Sequence, residues 1–269
     1  MKLSIITVNL NNREGLQKTI DSVVSQTFTD YEYIIIDGGS TDGSVDIIKQ
    51  YEDKITYWVS EQDKGIYNAM NKGIMQAKGE YCLFLNSGDW LYNDNILNDL
   101  FSLDFNEDII YGNEIDIYPD GTLKEVKFNR KISFGFLFIN YLPHQASFFK
   151  RILFDKVGFY SENYKYNSDQ EFYFKAIFKY ECSFIHIDIY ITYYDRSGIS
   201  SNKENHDELM RERDTVVKQI FPLLYDDYIE LRNFKNIYDY KAYIVGKIAL
   251  YPFRIIWKLC KKMIKLCIK

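Results

Sequence analysis

Four polar or small residues, Asn86-Ser87-Gly88-Asp89, follow directly after the apolar run Tyr81–Leu85. This run contains no Gly or Pro and has the length of a buried strand. In open parallel α/β sheets, ligands bind at the carboxyl ends of the strands. An aspartate there is well placed to hold a hard cation, which prefers oxygen ligands and accompanies phosphates. The same residue types also form ordinary turns, and the tetrapeptide taken alone favours a turn.

A second polar segment, Asp37–Gly43 (DGGSTDG), also follows an apolar run and could be taken for a phosphate-binding loop. The dinucleotide fingerprint G-x-G-x-x-G, however, belongs after the first strand, where this chain has Asn9-Leu10-Asn11-Asn12. The pattern therefore argues against a Rossmann dehydrogenase, and the sequence contains no Walker motif. Asp37 suits a hydrogen bond to a ribose or a base, and it could equally well only open the turn.

Two further carboxylates, Asp169 and Glu171, lie at the start of a predicted helix. A carboxylate within reach of a hydroxyl can act as a general base. Residues two apart cannot share one helical face, so only one of them is expected to face a site. Helix capping and dipole complementation are the alternative, which the residues alone favour. Four other polar residues are interpreted as structural or as part of a solvated surface: His144, His206, Arg211 and Arg213.

The elements that position these residues follow from hydrophobic periodicity. Strands are predicted at Leu3–Val8, Tyr31–Ile36, Ile55–Val59 and Tyr81–Leu85, with a helix between each pair, the last over Lys64–Ala77. The second half is predicted to contain strands Asp108–Tyr111 and Phe184–Ile191, a hairpin of Glu114–Tyr118 with Thr122–Phe128, and helices Ser168–Tyr180 and Glu204–Ile220. The β-α-β-α-β-α-β order requires a parallel sheet with right-handed crossovers. The predicted fold class is α/β, a mostly parallel sheet sandwiched by helices.

Four segments, in this order, resemble the family 2 glycosyltransferases, which are inverting enzymes of the glycosyltransferase A-type, Rossmann-like fold. They are Ser4–Asn11, Ile36–Gly43, Ser60–Gly73 and Leu85–Asp89, each in register with a predicted strand. The resemblance is close over about the first 100 residues. It continues more loosely to about residue 215, through Asp169-Gln-Glu171 and Gly198-Ile-Ser-Ser201.

The resemblance implies roles for individual residues. Asp89 falls on the last acid of the family's Asp-x-Asp segment, beside a divalent cation (Mn²⁺ or Mg²⁺) and the diphosphate. Asp169 falls on the general base, with Glu171 as the neighbouring catalytic candidate. Ten residues are implied to bind the donor nucleotide: Val8, Asn9, Asn11, Asp37, Glu61, Asp63, Asn71, Asn86, Ser87 and Gly88.

The chain departs from the family pattern at three places. Val8 stands where Pro is usual, and Met70 stands where many members carry Arg. Asn86-Ser-Gly-Asp89 retains a single carboxylate of the Asp-x-Asp segment, which weakens the charge of the predicted cation site.

Charge is unevenly distributed along the chain. Residues 241–269 contain eight Lys/Arg and no Asp/Glu, so this segment carries +8 and the remaining 240 residues carry −13. An acidic body argues against a nucleic-acid partner. The four cysteines form no Cys-x-x-Cys pair, which indicates neither zinc nor a disulfide framework, and a reducing cytoplasm is the expected compartment.

The carboxyl-terminal segment is predicted to be a basic amphipathic helix. Between Arg254 and Lys269 the basic residues recur at spacings of 4, 3, 4 and 4, with apolar residues on the other side. This pattern is typical of a helix lying in a membrane interface, and a helix docked on the body is the alternative. Because basic stretches are attracted to anionic lipid, we favour the inner face of the cell membrane.

The sequence as a whole predicts transfer of a sugar, with inversion, from a nucleotide sugar (UDP-linked) to a lipid-linked or polysaccharide acceptor in bacterial surface glycan synthesis. The predicted organisation is a nucleotide-sugar-binding half (1–105), an acceptor-binding half of the same domain (106–230) and the basic tail (231–269). Three alternatives stay open: a non-catalytic sugar-nucleotide-binding relative, a nucleotidyltransferase and a structural protein of the membrane surface. The sequence does not specify an oligomeric state.

Overall fold

The computed structural model describes residues 1–128 and 132–237. In its first half, strands and helices alternate as predicted. The elements are β1 (Leu3–Asn9), α1 (Arg13–Val24), β2 (Tyr31–Asp37), α2 (Ser44–Gln50), β3 (Tyr57–Ser60), α3 (Ile66–Gln76) and β4 (Tyr81–Phe84). α1 begins where the Asn12 side chain accepts a hydrogen bond from the Gly15 amide at 3.2 Å, an N-cap interaction.

The second half mixes short helices with longer strands. The elements are β5 (Trp90–Leu91), α4 (Ile96–Phe101), β6 (Ile109–Ile117), β7 (Leu123–Val126), α5 (Phe134–Ile139), β8 (Ser147–Lys150), α6 (Ile152–Val157), α7 (Ser168–Phe174), β9 (Phe184–Asp195), α8 (His206–Ile220) and α9 (Tyr225–Ile237). The predicted hairpin is confirmed as β6 and β7. The helix predicted over Ser168–Tyr180 is confirmed as α7 and a π-helical turn, Lys175–Lys179.

Most strand ends differ from the prediction by one or two residues, and larger differences occur in β6 and β9. Asp108–Tyr111 and Glu114–Tyr118 belong to one strand, β6, which continues through Gly112. A Cβ at Gly112 would lie 2.5 Å from Cγ1 of Ile191, so β9 approaches too closely for any other residue. β9 also continues past Ile191 to Asp195, because its last residues pair with β6 up to Ile117.

One nine-stranded sheet joins these strands in the order β3-β2-β1-β4-β8-β6-β9-β5, with β7 paired to β6. β3, β2, β1 and β4 are parallel, as predicted. β8 runs antiparallel between β4 and β6, and β9 runs parallel to β6. The predicted α/β fold class is confirmed, and each antiparallel pair includes at least one strand of the second half. The carboxyl ends of β1, β2, β4, β6 and β9 therefore meet at one edge of the sheet.

An aromatic cluster supports the elements beside this edge. The ring of Phe84 on β4 contacts His144, Phe149, Phe154 and Tyr160 at centroid distances of 5.0–6.1 Å. Phe172 of α7 stacks on Phe154 at 5.0 Å. Because aromatic pairs of this kind bury large apolar areas in fixed geometries, α7 is held rigidly against the sheet.

The chain forms two compact units, of which the larger comprises residues 1–132 and 141–220. Among the described residues, the smaller comprises residues 133–140 and 221–237. In its described part, Phe138 of α5 packs on Phe221 at 5.6 Å and on Tyr228 of α9 at 5.4 Å. The predicted basic amphipathic helix lies outside the described residues. Within residues 1–128 and 132–237, none of the helices combines the length and the apolar character needed to span a membrane.

Candidate active site

The ends of β1 and β2 are joined through the carboxylate of Asp37. Its Oδ1 accepts hydrogen bonds from Asn9 Nδ2 at 2.7 Å and Ser40 Oγ at 2.6 Å. Its Oδ2 accepts from Ser60 Oγ at 2.6 Å, Ser40 N at 2.9 Å and Gly39 N at 3.2 Å. Asp37 has no solvent exposure. The side chain thus fixes the turn after β2 and ties it to β1 and β3.

These five donors determine the electrostatics of Asp37. Burial alone would raise the pKa of the carboxyl, but the hydrogen bonds from Ser40, Ser60 and Asn9 outweigh burial and hold the pKa below its usual value. The carboxylate is therefore ionised at neutral pH and satisfied within the protein. A nucleotide that contacts Asp37, as predicted, would have to share the lone pairs of the carboxylate with these five donors.

The turn after β1 is built around Asn11, which has a left-handed backbone (φ +50°). Its Oδ1 accepts from the Thr41 amide at 2.8 Å, and its own amide donates to Ser40 Oγ at 2.8 Å. Asn9 is 4% exposed, and its Oδ1 has no hydrogen-bond partner within the described residues. A buried carbonyl oxygen of this kind is available to a ligand's N–H group.

The polar segment after β4 lies against the end of β1. The Ser87 amide donates to the Val8 carbonyl at 3.0 Å, and Asn12 Nδ2 donates to the Ser87 carbonyl at 2.9 Å. Gly88 has φ +106°, a conformation that L side chains rarely adopt. A Cβ at this position would lie 3.2 Å from Asn12 Nδ2 and from Asp195 Oδ2. The residue directly before Asp89 therefore occupies a tight turn that favours glycine.

Asp89 is buried at the same edge, with 4% exposure. Its Oδ1 accepts a hydrogen bond from the backbone amide of Asp195, at the end of β9, at 2.9 Å. Burial, together with the charges of Glu114 and Asp195, raises the pKa of Asp89 well above its usual value. Neither Asp89 nor Asp195 forms an ion pair with Lys or Arg in the described part of the chain. The Arg196 charge opposes this rise in pKa without forming an ion pair with Asp89.

Asp195 is a candidate that the sequence reasoning missed. The signal was present, because Asp195 ends an apolar strand just as Asp37 does, but β9 was predicted to end at Ile191. Its Oδ1 accepts from the Ser197 amide at 2.8 Å, while Oδ2 faces Gly88. The structure thus brings a second carboxylate, 106 residues along the chain, to Asp89.

These residues fit a divalent cation that shares its ligands with a diphosphate. Mg²⁺ in such sites is held by one or two carboxylates, with phosphate oxygens and waters completing the shell. Across residues 1–128 and 132–237, no group of three or more His, Cys, Asp and Glu side chains could hold a metal ion. Asp89 and Asp195 would therefore need ligands from the substrate.

A buried charge network borders Asp195 on the β6 side. The Arg196 guanidinium donates to Asp116 Oδ2 at 2.8 Å and to the Tyr141 hydroxyl at 2.5 Å. Glu114, which is fully buried, accepts from Tyr141 at 3.2 Å and from the Gln145 amide. Burial and the charge of Asp116 raise the pKa of Glu114 to about 8. The network fixes the start of the loop that follows β9.

Asp169 lies in the first turn of α7, half-buried, with Oδ1 accepting from the Tyr67 hydroxyl at 2.9 Å. Glu171 points elsewhere: it is 7% exposed and pairs with Lys175 at 2.9 Å. The two carboxylates therefore diverge, as their spacing predicts. Of the two catalytic candidates, Asp169 is the one without a cationic partner in the described residues.

Three predicted donor residues lie in α3 and in the segment before it. Glu61 pairs with Lys72 at 2.7 Å, and Asp63 Oδ1 accepts from the Gly65 amide at 2.8 Å. Asn71 is 6% exposed, and its side-chain amide bonds both the N–H (3.0 Å) and the C=O (2.8 Å) of Tyr160. Because both polar groups of Asn71 are used in this way, the structure favours a structural role over a nucleotide contact.

The remaining polar candidates behave as structural or surface residues. His144 is buried, lies 2.8 Å from the Tyr160 hydroxyl through Nε2 and stacks on Phe84. Burial lowers the pKa of His144, against a smaller opposing effect of the Asp169 charge. His206 and Arg211 lie exposed on α8.

Comparison with known proteins adds an independent finding. The profile of the family described as Glycosyl transferase family 2 matches residues 4–177. The chain is 32% identical over 209 residues to an uncharacterized glycosyltransferase of Mycobacterium tuberculosis, covering 75% of this chain and 78% of that relative.

Solved structures share the fold. TarS 1–349 of S. aureus, in complex with UDP-GlcNAc, aligns with a TM-score of 0.61 and 19% identity over 81% of this chain and 67% of that one. The chain spans 44% of a longer TarS structure. The mannosyltransferase PcManGT of Pyrobaculum calidifontis, in complex with GDP-Man and Mn²⁺, aligns with a TM-score of 0.58 and 14% identity over 82% of this chain and 63% of that one.

Proposed function

The chain belongs to glycosyl transferase family 2, and we propose that it transfers one sugar, with inversion, from a UDP sugar to a lipid-linked or polysaccharide acceptor. The observation that carries the proposal is the meeting of Asn9, Asp37, Asp89 and Asp195 at one sheet edge, each at or just after the end of a different strand. Ligands of open α/β sheets bind at this edge.

The donor's base is proposed to lie beside Asn9 and the turn after β2. Asn9 Oδ1 is buried and unpartnered within the described residues, so it can accept the N–H of a uracil. Asp37 would act mainly by holding this turn, with Gly39 and Ser40, in a fixed shape. The complex of TarS with UDP-GlcNAc supports the choice of a uridine nucleotide.

Asp89 and Asp195 are proposed to hold a divalent cation against the diphosphate of the donor. When bound, Mn²⁺ or Mg²⁺ would act as a Lewis acid that neutralises the departing diphosphate. The complex of PcManGT with Mn²⁺ supports this proposal. The chain's own contribution is to place two carboxylates that form no ion pair with lysine or arginine in the described residues.

Asp169 is proposed to be the general base. An acceptor hydroxyl is a poor nucleophile until a carboxylate takes its proton. Attack from the face opposite the diphosphate forms the new C–O bond while the bond to the diphosphate oxygen breaks, and it inverts the anomeric centre. Glu171, paired with Lys175, would stabilise the first turns of α7 instead of taking the proton.

The acceptor is proposed to be presented at the inner face of a bacterial membrane. Residues 252–269 carry six Lys/Arg and no acid, with apolar residues between them. Polybasic segments are attracted to anionic lipid by about 1 kcal/mol per basic residue near the surface. This attraction would keep the enzyme close to a lipid-linked acceptor.

The test is nucleotide release from a donor panel of UDP-GlcNAc, UDP-glucose, UDP-galactose and GDP-mannose, each with a bacterial lipid extract and Mn²⁺. We expect release of UDP from a UDP sugar, and an inverted anomeric configuration of the product in its NMR spectrum. Release from GDP-mannose alone would contradict the choice of nucleotide, and a retained configuration would contradict the mechanism.

A further inference from the structure

A buried tyrosine of α3 contacts the carboxylate that the proposed function uses as a base. The Tyr67 hydroxyl lies 2.9 Å from Oδ1 of Asp169, across 102 residues of sequence. Tyr67 is 6% exposed, whereas Asp169 is half-buried. From this geometry we propose that Tyr67 is a positioning residue whose hydroxyl fixes Oδ1 of Asp169 and leaves Oδ2 to take the acceptor's proton. The inference rests on the proposed function, because it assumes that Asp169 is the base.

The direction of this hydrogen bond follows from the surroundings of the phenol. Burial and the charge of Asp169 raise the pKa of Tyr67 well above its usual value, against a smaller opposing effect of the backbone N–H groups of Asp169 and Ser168. The phenol therefore keeps its proton throughout the working pH range. Tyr67 donates to the carboxylate and takes no part in proton transfer.

The ring of Tyr67 packs against Tyr160, which is itself fixed by hydrogen bonds. Its ring lies 5.7 Å from the ring of Tyr160, and the Tyr160 hydroxyl lies 2.8 Å from His144 Nε2. The backbone of Tyr160 is in turn bonded by the Asn71 side chain, one turn of α3 beyond Tyr67. This support removes rotational freedom from the phenol, and through the phenol from the carboxylate. Misplacement of a catalytic group by about 1 Å can cost about 100-fold in rate.

The position of Tyr67 in the chain adds a second consequence. α3 begins at Ile66, directly after the segment with Glu61 and Asp63 that the family resemblance places over the nucleotide base. The hydroxyl of Tyr67 therefore connects the helix behind the donor segment to the helix that carries the base.

Tyr67 donates its hydrogen bond throughout the reaction and neither gains nor loses a proton. The acceptor O–H bond breaks and its proton moves to Oδ2 of Asp169. The acceptor oxygen forms the bond to the anomeric carbon, and the electron pair of the broken glycosyl–oxygen bond leaves with the diphosphate. Tyr67 remains hydrogen-bonded to Oδ1 before and after transfer.

The test is Tyr67→Phe, which keeps the ring and removes only the hydroxyl, measured with the UDP sugar of the panel that the wild-type chain turns over fastest. We expect kcat to fall about 10-fold, with KM for the UDP sugar and calorimetric Kd for UDP within twofold of wild type.

Tyr33→Phe is the matched control. Tyr33 is fully buried on β2, and its hydroxyl lies 3.1 Å from Thr7 Oγ1. Its loss removes a buried hydroxyl contact of the same kind away from Asp169, so kcat should stay at the wild-type value. The inference is overturned if Tyr67→Phe has wild-type kcat, if its KM rises while kcat stays unchanged, or if both Phe variants lose activity only in proportion to lost stability.

A failure of the proposed function would be measured by different experiments from a failure of the Tyr67 inference. Normal turnover by Asp169→Asn would remove the base assignment and the role of Tyr67 with it. Absence of nucleotide release by the wild-type chain would overturn both. In each case the failure is measured without the Tyr67 variant, so it is distinguishable from a failure of the inference.

Discussion

Replacing Asp37 by alanine should destabilise the fold substantially, although the residue lies at a functional edge. The change removes the acceptor of five hydrogen bonds, from Asn9 Nδ2, Ser60 Oγ, Ser40 Oγ and the amides of Gly39 and Ser40. The two serine hydroxyls can turn to other acceptors, whereas the backbone amides of Gly39 and Ser40 cannot. A buried donor left unsatisfied costs about 1–3 kcal/mol, and a water entering the site recovers part of that. We expect a loss of about 3 kcal/mol in the free energy of unfolding.

The assay is urea unfolding followed by tryptophan fluorescence and circular dichroism at pH 7. Asp42→Ala is the matched control. The exposed carboxylate of Asp42 accepts from the Arg13 amide, the Ser44 amide and Ser44 Oγ at 2.6–3.0 Å. Water can replace it there, so the control should lose no more than about 1 kcal/mol.

The pH dependence provides a second check on Asp37. Its pKa is lowered in the folded protein, so the stability it contributes is present above the unfolded value of about 3.9. That stability is lost as pH falls through the lower folded value. Asp37→Ala should therefore flatten the acid side of the stability curve below about pH 4. Unchanged stability together with abolished UDP binding would refute the reasoning, because it would make Asp37 a ligand contact and not a structural one.

Three further changes have defined outcomes. In the wild-type chain, a Glu114 pKa raised to about 8 in the folded state should lower stability by about 2–4 kcal/mol as pH rises from about 4.5 to 8, because the ionised form is penalised. Glu114→Gln should abolish this loss. Thermal melts across this pH range check the prediction, and a pH-dependent slope that persists in the variant would contradict it. Asp195→Asn keeps the hydrogen bond from its backbone amide to Asp89. It should weaken UDP binding, measured by calorimetry, about 10-fold in the presence of Mn²⁺ and leave it unchanged in EDTA. Equal losses in both buffers would argue against Asp195 as a cation ligand. Deleting residues 252–269 should release the chain from phosphatidylserine vesicles, and salt should weaken binding of the full chain; tight binding by the truncated chain would exclude this anchor.

The sequence was sufficient to predict the parallel half of the sheet and its site edge. β1, β2 and β4 are runs buried on both faces, so their apolar character is continuous and their polar ends are conspicuous. Asn9, Asp37 and Asp89 lie where those runs stop. The short α5 and α6 carry too few turns to give a periodic signal.

The contacts that define the candidate site could not be predicted, because they join distant segments. Asp195 reaches Asp89, and Tyr67 reaches Asp169, through the pairing of β9 with β6 and the packing of α7 on β8. The structural role of Asn71 was hidden for the same reason, since its partner, Tyr160, is 89 residues away. A motif identifies which residues are polar at a strand end, but not which of their atoms are already bonded.

The central claim is that Asp169 acts as the base for sugar transfer from a nucleotide donor. The most direct test compares the rates at which wild type and Asp169→Asn release UDP from the active UDP sugar. Calorimetric UDP binding and melting temperature are measured in parallel. The account predicts that the variant retains UDP affinity and stability while release falls by about 10²–10⁴-fold, the usual contribution of a general base. Release by Asp169→Asn at the wild-type rate would contradict it.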